Sequence, residues 1–327
     1  MAVKTMVESI RETLADEMAR DGRVMVIGED VGQLGGVFRA TEGLQARFGA
    51  DRVVDMPLAE GVIVGAGLGL AMSGMRPVVE IQFLGFGHQA FHQIGQQVAR
   101  LRYRSAGRHS VPMVIRAPFG GGVRTPELHS DAFEAFYAHC PGLKVVAPST
   151  AHDAKGLLNA ALDTDDPVLY LEPLKGYRLQ RDEVPEDRFT VPIGKAQVVR
   201  EGTDVTIVAW SAAVQLALKA ADELAADGIS AHVLDLRSLV PLDVTGVADA
   251  VSATGRAVIL HEAPLTGGFG AELAATIQQE CFYDLLAPVH RITAPDTPYP
   301  LAGIEEAYVP DQARVVREVT ALMEVAP

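Results

Sequence analysis

The chain has 327 residues, 48% hydrophobic and 21% charged, which suits a well-cored protein of two domains and excludes a disordered one. A formal net charge of −14 excludes nucleic-acid binding through clustered lysine and arginine; it favours solubility and leaves basic proteins as partners. Cys140 and Cys281 make neither a metal spacing nor a disulfide framework, which points to a reducing, cytoplasmic setting.

Thr5-x-x-Glu8 is a capping-box pattern that opens a helix directly behind Met1-Ala2-Val3-Lys4 and leaves no room for a signal or transit peptide. Beyond it, short β-branched runs alternate with helical patterns, which predicts parallel α/β sheets. Strands are expected at about 24–27, 78–83, 112–116, 144–147 and 168–171, with helices between them. Val53-Val54 leads into Asp55-Met56-Pro57-Leu58-Ala59-Glu60-Gly61, and a glycine-rich segment, apolar all round, follows to Met72. Pro57 and Glu60 suit a helix start, where free N–H groups and the positive end of the dipole favour a carboxylate. A helix apolar on every face is expected to be buried, with Glu60 at the mouth of a core. It is too short to span a membrane and is followed at once by Ser73-Gly74. Residues 177–193 are polar, carry Arg178, Arg181, Asp182, Glu183, Glu186 and Asp187, and keep neither period, so they read as a linker. A second series follows, with strands at about 205–210, 231–236, 257–260 and 289–292 and Ala-rich helices between. Two α/β domains with mainly parallel sheets are therefore expected, at residues 1–185 and 186–327.

Several apparent motifs fail on spacing. Gly65-x-Gly67-x-Gly69 lacks the third glycine of a dinucleotide fingerprint, whose place Leu70 takes, and it lies inside the helical pattern; close helix packing explains it better. Phe119-Gly120-Gly121-Gly122-Val123 has no Gly-Lys-Ser/Thr after it and is no P-loop; glycine there lets a loop approach a ligand or partner. His88 and His92 stand at helical spacing without a third ligand, and Gly-x-Ser-x-Gly is absent. His129 lies among turn formers beside Glu127 and Asp131, where a carboxylate can orient an imidazole for proton transfer.

The segments Asp55 to Glu60, Glu80-Ile81-Gln82-Phe83-Leu84-Gly85-Phe86, Arg102-Tyr103-Arg104-Ser105, Thr125-Pro126-Glu127-Leu128-His129-Ser130-Asp131 and Pro141-Gly142-Leu143-Lys144-Val145-Val146 occur in that order. Together they resemble the β subunit of the thiamine-diphosphate-dependent decarboxylase component of 2-oxo acid dehydrogenase complexes. The likeness runs from Thr5-Met6-Val7 through Gly28-Glu29-Asp30-Val31 to Ala294-Pro295-Asp296-Thr297. The stretch from Phe119 to Asp131 is most similar to the bacterial pyruvate dehydrogenase branch, with the branched-chain enzymes close by. The resemblance implies a transketolase-like pyrimidine-binding domain followed by a transketolase C-terminal-like domain. It implies that Glu60 hydrogen-bonds the aminopyrimidine of the cofactor, that Phe86 packs against that ring, and that His129 donates a proton during acyl transfer to a lipoyl sulfur. Arg124 and Ser130 are neighbours of that histidine, and His139 is structural. It further implies a monovalent cation, K+ in kind, at Met113, Ala161, Leu162, Thr164 and Asp166, although Thr164 departs from the commoner aspartate. Phe86, standing between two glycines, also reads as a core residue.

The chain contains no Gly-Asp-Gly segment of the kind that holds the magnesium diphosphate in thiamine enzymes. The resemblance therefore implies a separate α subunit for the diphosphate and Mg2+, an α2β2 assembly, and no activity for this chain alone. The lipoyl acyltransferase core is the implied second partner, tethered through the C-terminal domain, where Glu272, Glu280, Asp284, Glu305, Glu306, Asp311 and Glu324 are available as acidic surface. The substrate is a 2-oxo acid, with pyruvate ahead of branched-chain acids. The other readings are a single-chain thiamine enzyme of transketolase or synthase type and a non-catalytic scaffold subunit.

Overall fold

The computed structural model describes residues 1–325. In chain order its strands are β1 Ala2–Thr5, β2 Val24–Gly28, β3 Val53–Asp55, β4 Arg76–Glu80, β5 Val114–Phe119, β6 Lys144–Val146 and β7 Val168–Pro173. They continue with β8 Arg181–Val184, β9 Gln197–Arg200, β10 Val205–Ala209, β11 Ala231–Asp235, β12 Ser238–Val240, β13 Ala257–Pro264 and β14 His290–Ala294. The larger sheet has the order β12-β6-β7-β5-β4-β2-β3 and the smaller the order β14-β13-β10-β11-β9. Within each, pairing is parallel except at one edge, where β12 joins β6 and β9 joins β11 in antiparallel register. β2, β5 and β7 are buried along their whole length, because helices cover both faces of the sheet.

Helix Met6–Arg20 starts on the expected capping box: Thr5 N donates to Glu8 Oε2 at 2.8 Å, and Glu8 N to Thr5 Oγ1 at 3.4 Å. It packs against helix Ala151–Asp163 on one face of the larger sheet. Helix Glu60–Met72 lies on the other face, and a Cβ at Gly67 would stand 2.5 Å from Val79 Cγ2 and 2.9 Å from Met113 Sδ. Close packing thus holds for Gly67 alone. Gly65 and Gly69 have open space around them, and Leu58, Val62 and Met72 are 71%, 56% and 49% exposed. The helix is therefore not buried on every side: positions 62, 65, 69 and 72 follow helical spacing and form one bare apolar stripe, with Leu58 exposed just before it.

The segment read as a linker is partly structured. Gly176–Leu179 makes a helical turn, and β8 pairs antiparallel with β1, Ala2 opposite Val184 and Thr5 opposite Arg181. Its alternating charges line an exposed ribbon, so backbone pairing rather than burial forms it. β12 is the other departure: it lies late in the chain yet completes the larger sheet. One apolar core runs across both sheets, with Ile27, Val79 and Ile115 in the same cluster as Trp210, Leu236 and Ile259.

Candidate active site

Three charged residues near the carboxyl ends of neighbouring strands anchor the loops of the site. Arg116 in β5 is fully buried; its Nε and Nη2 donate to Glu172 of β7 at 2.6 and 2.9 Å, and its Nη1 donates to Glu80 of β4 at 2.7 Å. The Tyr177 hydroxyl also donates to Glu172. Burial pushes the Glu80 carboxyl above its usual range against the pull of Arg116, and the two carboxylates hold the Arg116 guanidinium charged. β4, β5 and β7 are thereby pinned together just where the chain leaves the sheet, the edge at which α/β proteins place their ligands.

Helix Glu60–Met72 follows β3, a 3₁₀ turn Leu84–Ala90 follows β4, and the turn Glu127–His129 follows β5. Glu60, the first helical residue, is 4% exposed, and its Oε2 has no hydrogen-bond partner among the described residues. Phe86 lies on the 3₁₀ turn, which packs against that helix. The His129 ring meets Phe86 edge-on at 4.9 Å between centroids and Phe83 at 4.5 Å. Its buried Nδ1 is also unpartnered. Glu60, Phe86 and His129, far apart in sequence, thus all stand on loops from one edge of the sheet.

The orientation of His129 differs from the sequence expectation. Among the described residues no carboxylate bonds to the ring, and two aromatic side chains pack against it. Asp131 turns away towards Gly85, and burial, then Glu127, raises its carboxyl to about 6. Ser130 and Thr125 share a hydrogen bond of 2.6 Å that closes the loop on itself. His139 is exposed at the end of the following helical turn, away from these rings. Sequence reasoning missed Gln93, whose side chain lies against Gly61 and whose buried Oε1 has no partner. It also missed Glu134, whose fully buried carboxyl is pushed up to about 7 by burial against the pull of donors that include Trp210.

The five positions expected to hold a monovalent cation lie around the end of helix Ala151–Asp163 and the start of β5. The carbonyls of Leu162 and Thr164 accept from Arg76 Nη1 at 2.8 and 3.1 Å, and the Met113 carbonyl accepts from Val168 N at 3.0 Å. Lys144 Nζ donates to Thr164 Oγ1 at 2.8 Å and Asp166 Oδ2 at 2.9 Å, and Arg102 pairs with Asp166 at 2.9 Å. An ion at this place shares its acceptors with three cationic side chains. Among the described residues no group of three or more His, Cys, Asp or Glu side chains is placed to hold a metal, and no helix is long and apolar enough to cross a membrane.

Comparison with known proteins identifies the family and the fold. The family profile of the transketolase pyrimidine-binding domain matches residues 3–180, and that of the transketolase C-terminal domain matches residues 194–315. The pyruvate dehydrogenase E1 component subunit beta of Bacillus subtilis is 50% identical over 324 residues, covering 99% of this chain and all of that protein. The protein of the same name from Staphylococcus epidermidis is 49% identical with the same coverage. Among solved structures, a split-gene transketolase described as an inactive β4 tetramer aligns over 99% of both chains at 23% identity, with a TM-score of 0.81. The transketolase of Leishmania mexicana matches the whole of this chain and 47% of its own length, at 17% identity and a TM-score of 0.73. The last two likenesses concern the fold.

Proposed function

The chain belongs to the pyruvate dehydrogenase E1 component β-subunit family, built on the transketolase fold, and from that premise we propose that it supplies the pyrimidine half of a thiamine-diphosphate site. The observation that carries this reading is the buried, unpartnered Oε2 of Glu60 at the start of a helix that packs against the turn bearing Phe86, whose ring meets His129. A buried carboxyl oxygen left without a partner costs stability, and a ring nitrogen of the cofactor is a partner of the right chemistry. Bound there, thiamine diphosphate supplies the electron sink for decarboxylation of a 2-oxo acid.

The residues of this chain bind and orient. Glu60 shares a proton with the pyrimidine ring, Gln93 Oε1 receives an N–H donor beside it, and Phe86 offers apolar surface. His129, with its Nδ1 free and its ring wedged between Phe83 and Phe86, moves a proton during acyl transfer to a lipoyl group. The diphosphate and Mg2+ fall to an α subunit, since this chain has no Gly-Asp-Gly segment. The bare stripe from Val62 to Met72, adjoining Glu60, is the kind of surface an obligate α2β2 assembly covers. In this reading residues 1–185 carry the pyrimidine pocket, residues 186–327 serve the acyltransferase core, the substrate is pyruvate, and the enzyme works in the cytoplasm. A monovalent cation at Met113, Ala161, Leu162, Thr164 and Asp166 belongs to the same reading.

Calorimetry on the purified chain, with and without its α partner, tests the division of labour. The chain alone is expected to bind thiamine diphosphate weakly and to turn over neither pyruvate, 2-oxobutyrate nor 4-methyl-2-oxopentanoate, while the reconstituted assembly acts on pyruvate first. Tight, magnesium-dependent binding by this chain alone would overturn the reading.

A further inference from the structure

The loop that leads into His129 takes its shape from the far half of the chain. Gly120 and Gly122 have φ of +79° and +86°, and Arg124, which has a side chain, stands at +58°. Left-handed residues in alternation turn neighbouring backbone N–H groups towards one side and make a concavity that accepts an anion. Here the anion is internal. Glu305 is 3% exposed, so it is no part of an acidic docking surface. Its Oε1 accepts from Gly122 N at 2.8 Å and from the Tyr299 hydroxyl at 2.5 Å, and its Oε2 from Arg124 N at 3.1 Å. Glu262 Oε2 accepts from Gly121 N at 2.9 Å.

Other attachments of the loop to that half are weaker. The Arg124–Glu306 pair at 2.9 Å is exposed on both sides and contributes little. Between the loop and the second half lies a cavity of about 270 Å³ lined by Glu127, Asp131, Glu262, Thr297, Tyr299 and Tyr308, so apolar packing does not fix the loop there. Gly121 is required for the approach, because a Cβ on it would strike the Tyr299 hydroxyl. Hydrogen bonds from backbone N–H groups to a carboxylate are charge-assisted and directional, and three N–H groups within four residues of loop, those of Gly121, Gly122 and Arg124, are spent on Glu262 and Glu305.

We propose that Glu305, supported by Glu262 and Tyr299, is a positioning residue for His129: the second half of the chain sets the backbone register of the loop that carries the acyl-transfer histidine. The clamp itself stands on these hydrogen bonds; its consequence for acyl transfer rests on the function proposed above. Glu60 and Phe86 stand on other loops, so decarboxylation depends on the clamp much less than acyl transfer does.

The test compares Glu305→Gln, Tyr299→Phe and His129→Ala with the parent in the reconstituted α/β assembly. The amide of Glu305→Gln conserves volume but turns an N–H₂ towards backbone N–H donors, so at least one bond is lost. Tyr299→Phe removes a single hydroxyl and keeps the ring against Tyr308, which provides a mild variant should the first fold poorly. Backbone hydrogen exchange at 121–124 is expected to accelerate in both variants. The kcat of acyl transfer to the lipoyl substrate is expected to fall about tenfold or more in Glu305→Gln, in line with the cost of ångström-scale misplacement, with KM for that substrate little changed. Decarboxylation with an artificial electron acceptor is expected to fall much less. Unchanged exchange in both variants, or equal loss in the two assays, overturns the proposal. If His129→Ala leaves acyl transfer intact while exchange accelerates in Glu305→Gln, the clamp stands and the role given to His129 is what fails.

Discussion

Replacing Arg116 by methionine puts the buried charge cluster to the test, because it keeps an unbranched apolar stem and removes the cation together with its three hydrogen bonds. Two carboxylates then lose their partner: Glu172 is fully buried and Glu80 nearly so. Removing one member of a buried ion pair costs about 3–5 kcal/mol, since the remaining charge keeps its desolvation penalty without the attraction. With an m-value of about 3 kcal/mol per molar urea, that is a fall in the unfolding midpoint of roughly 1–1.7 M. The sign of the pH dependence follows from Glu80. Burial already holds its carboxyl above the usual range, and Arg116 is the main opposing influence, so in Arg116→Met it rises further. A carboxyl whose folded pKa exceeds its unfolded value near 4.5 is most favourable to the fold below that value, and the advantage is lost as pH rises through the folded value. The deficit of Arg116→Met is therefore expected to be larger at pH 8 than at pH 5. Adding Glu80→Gln and Glu172→Gln should restore much of it. Urea titrations at the two pH values decide the matter, and a variant as stable as the parent at pH 8, or equally impaired at both, refutes the reasoning.

Three further outcomes are expected. Glu60→Gln should depress every activity of the reconstituted enzyme, whereas His129→Ala should depress acyl transfer to lipoyl more than decarboxylation, by about 10²–10⁴-fold for a lost proton-transfer group; steady-state assays with each acceptor check both. Gly67→Ala forces a methyl group onto Val79 and Met113 and should cost about 1–3 kcal/mol in the isolated chain, while Gly65→Ala, with nothing within 4 Å, should stabilise it by about 0.4–1 kcal/mol. The same Gly65→Ala should weaken assembly with the α subunit in sedimentation experiments if the bare stripe is covered there. Lastly, Glu272, Glu280, Asp284, Glu306, Asp311 and Glu324 are exposed, so binding of the α/β assembly to the acyltransferase should weaken between about 0.05 and 0.5 M salt, over which the Debye length contracts several-fold. Salt-independent affinity would place the tether elsewhere.

What the sequence made legible divides along a physical line. β2, β7 and β10 were visible because strands buried on both faces read as short, mainly apolar runs, and helix Glu60–Met72 because a helix start leaves its mark in adjacent residues. β1, β8 and β12 were not, since each is held by backbone pairing to a partner remote in sequence and shows no apolar period of its own. The buried cluster did leave a signal: Val79-Glu80, Ile115-Arg116 and Leu171-Glu172 each place a charge inside an apolar strand, and only pairing between neighbouring strands makes three such charges tolerable. Glu305 carried no such signal; among surface-like acids near the end of the chain, it is held by Tyr299 and by a glycine loop from the other half.

The misreading of helix Glu60–Met72 is the more instructive one. An all-apolar segment reports that its whole surface is removed from water, but not by which chain. In this chain the Gly67 face meets Val79 and Met113, while the stripe through Val62, Gly65 and Gly69 meets nothing. At the first residue of the same helix a buried carboxyl oxygen also lacks a partner. Unspent apolar surface and an unspent acceptor have the same meaning at the same place: the sequence is complementary to something beyond this polypeptide. A subunit that completes both the helix packing and the cofactor pocket accounts for the two deficits together, whereas a scaffold role explains the bare stripe and leaves Glu60 without a reason.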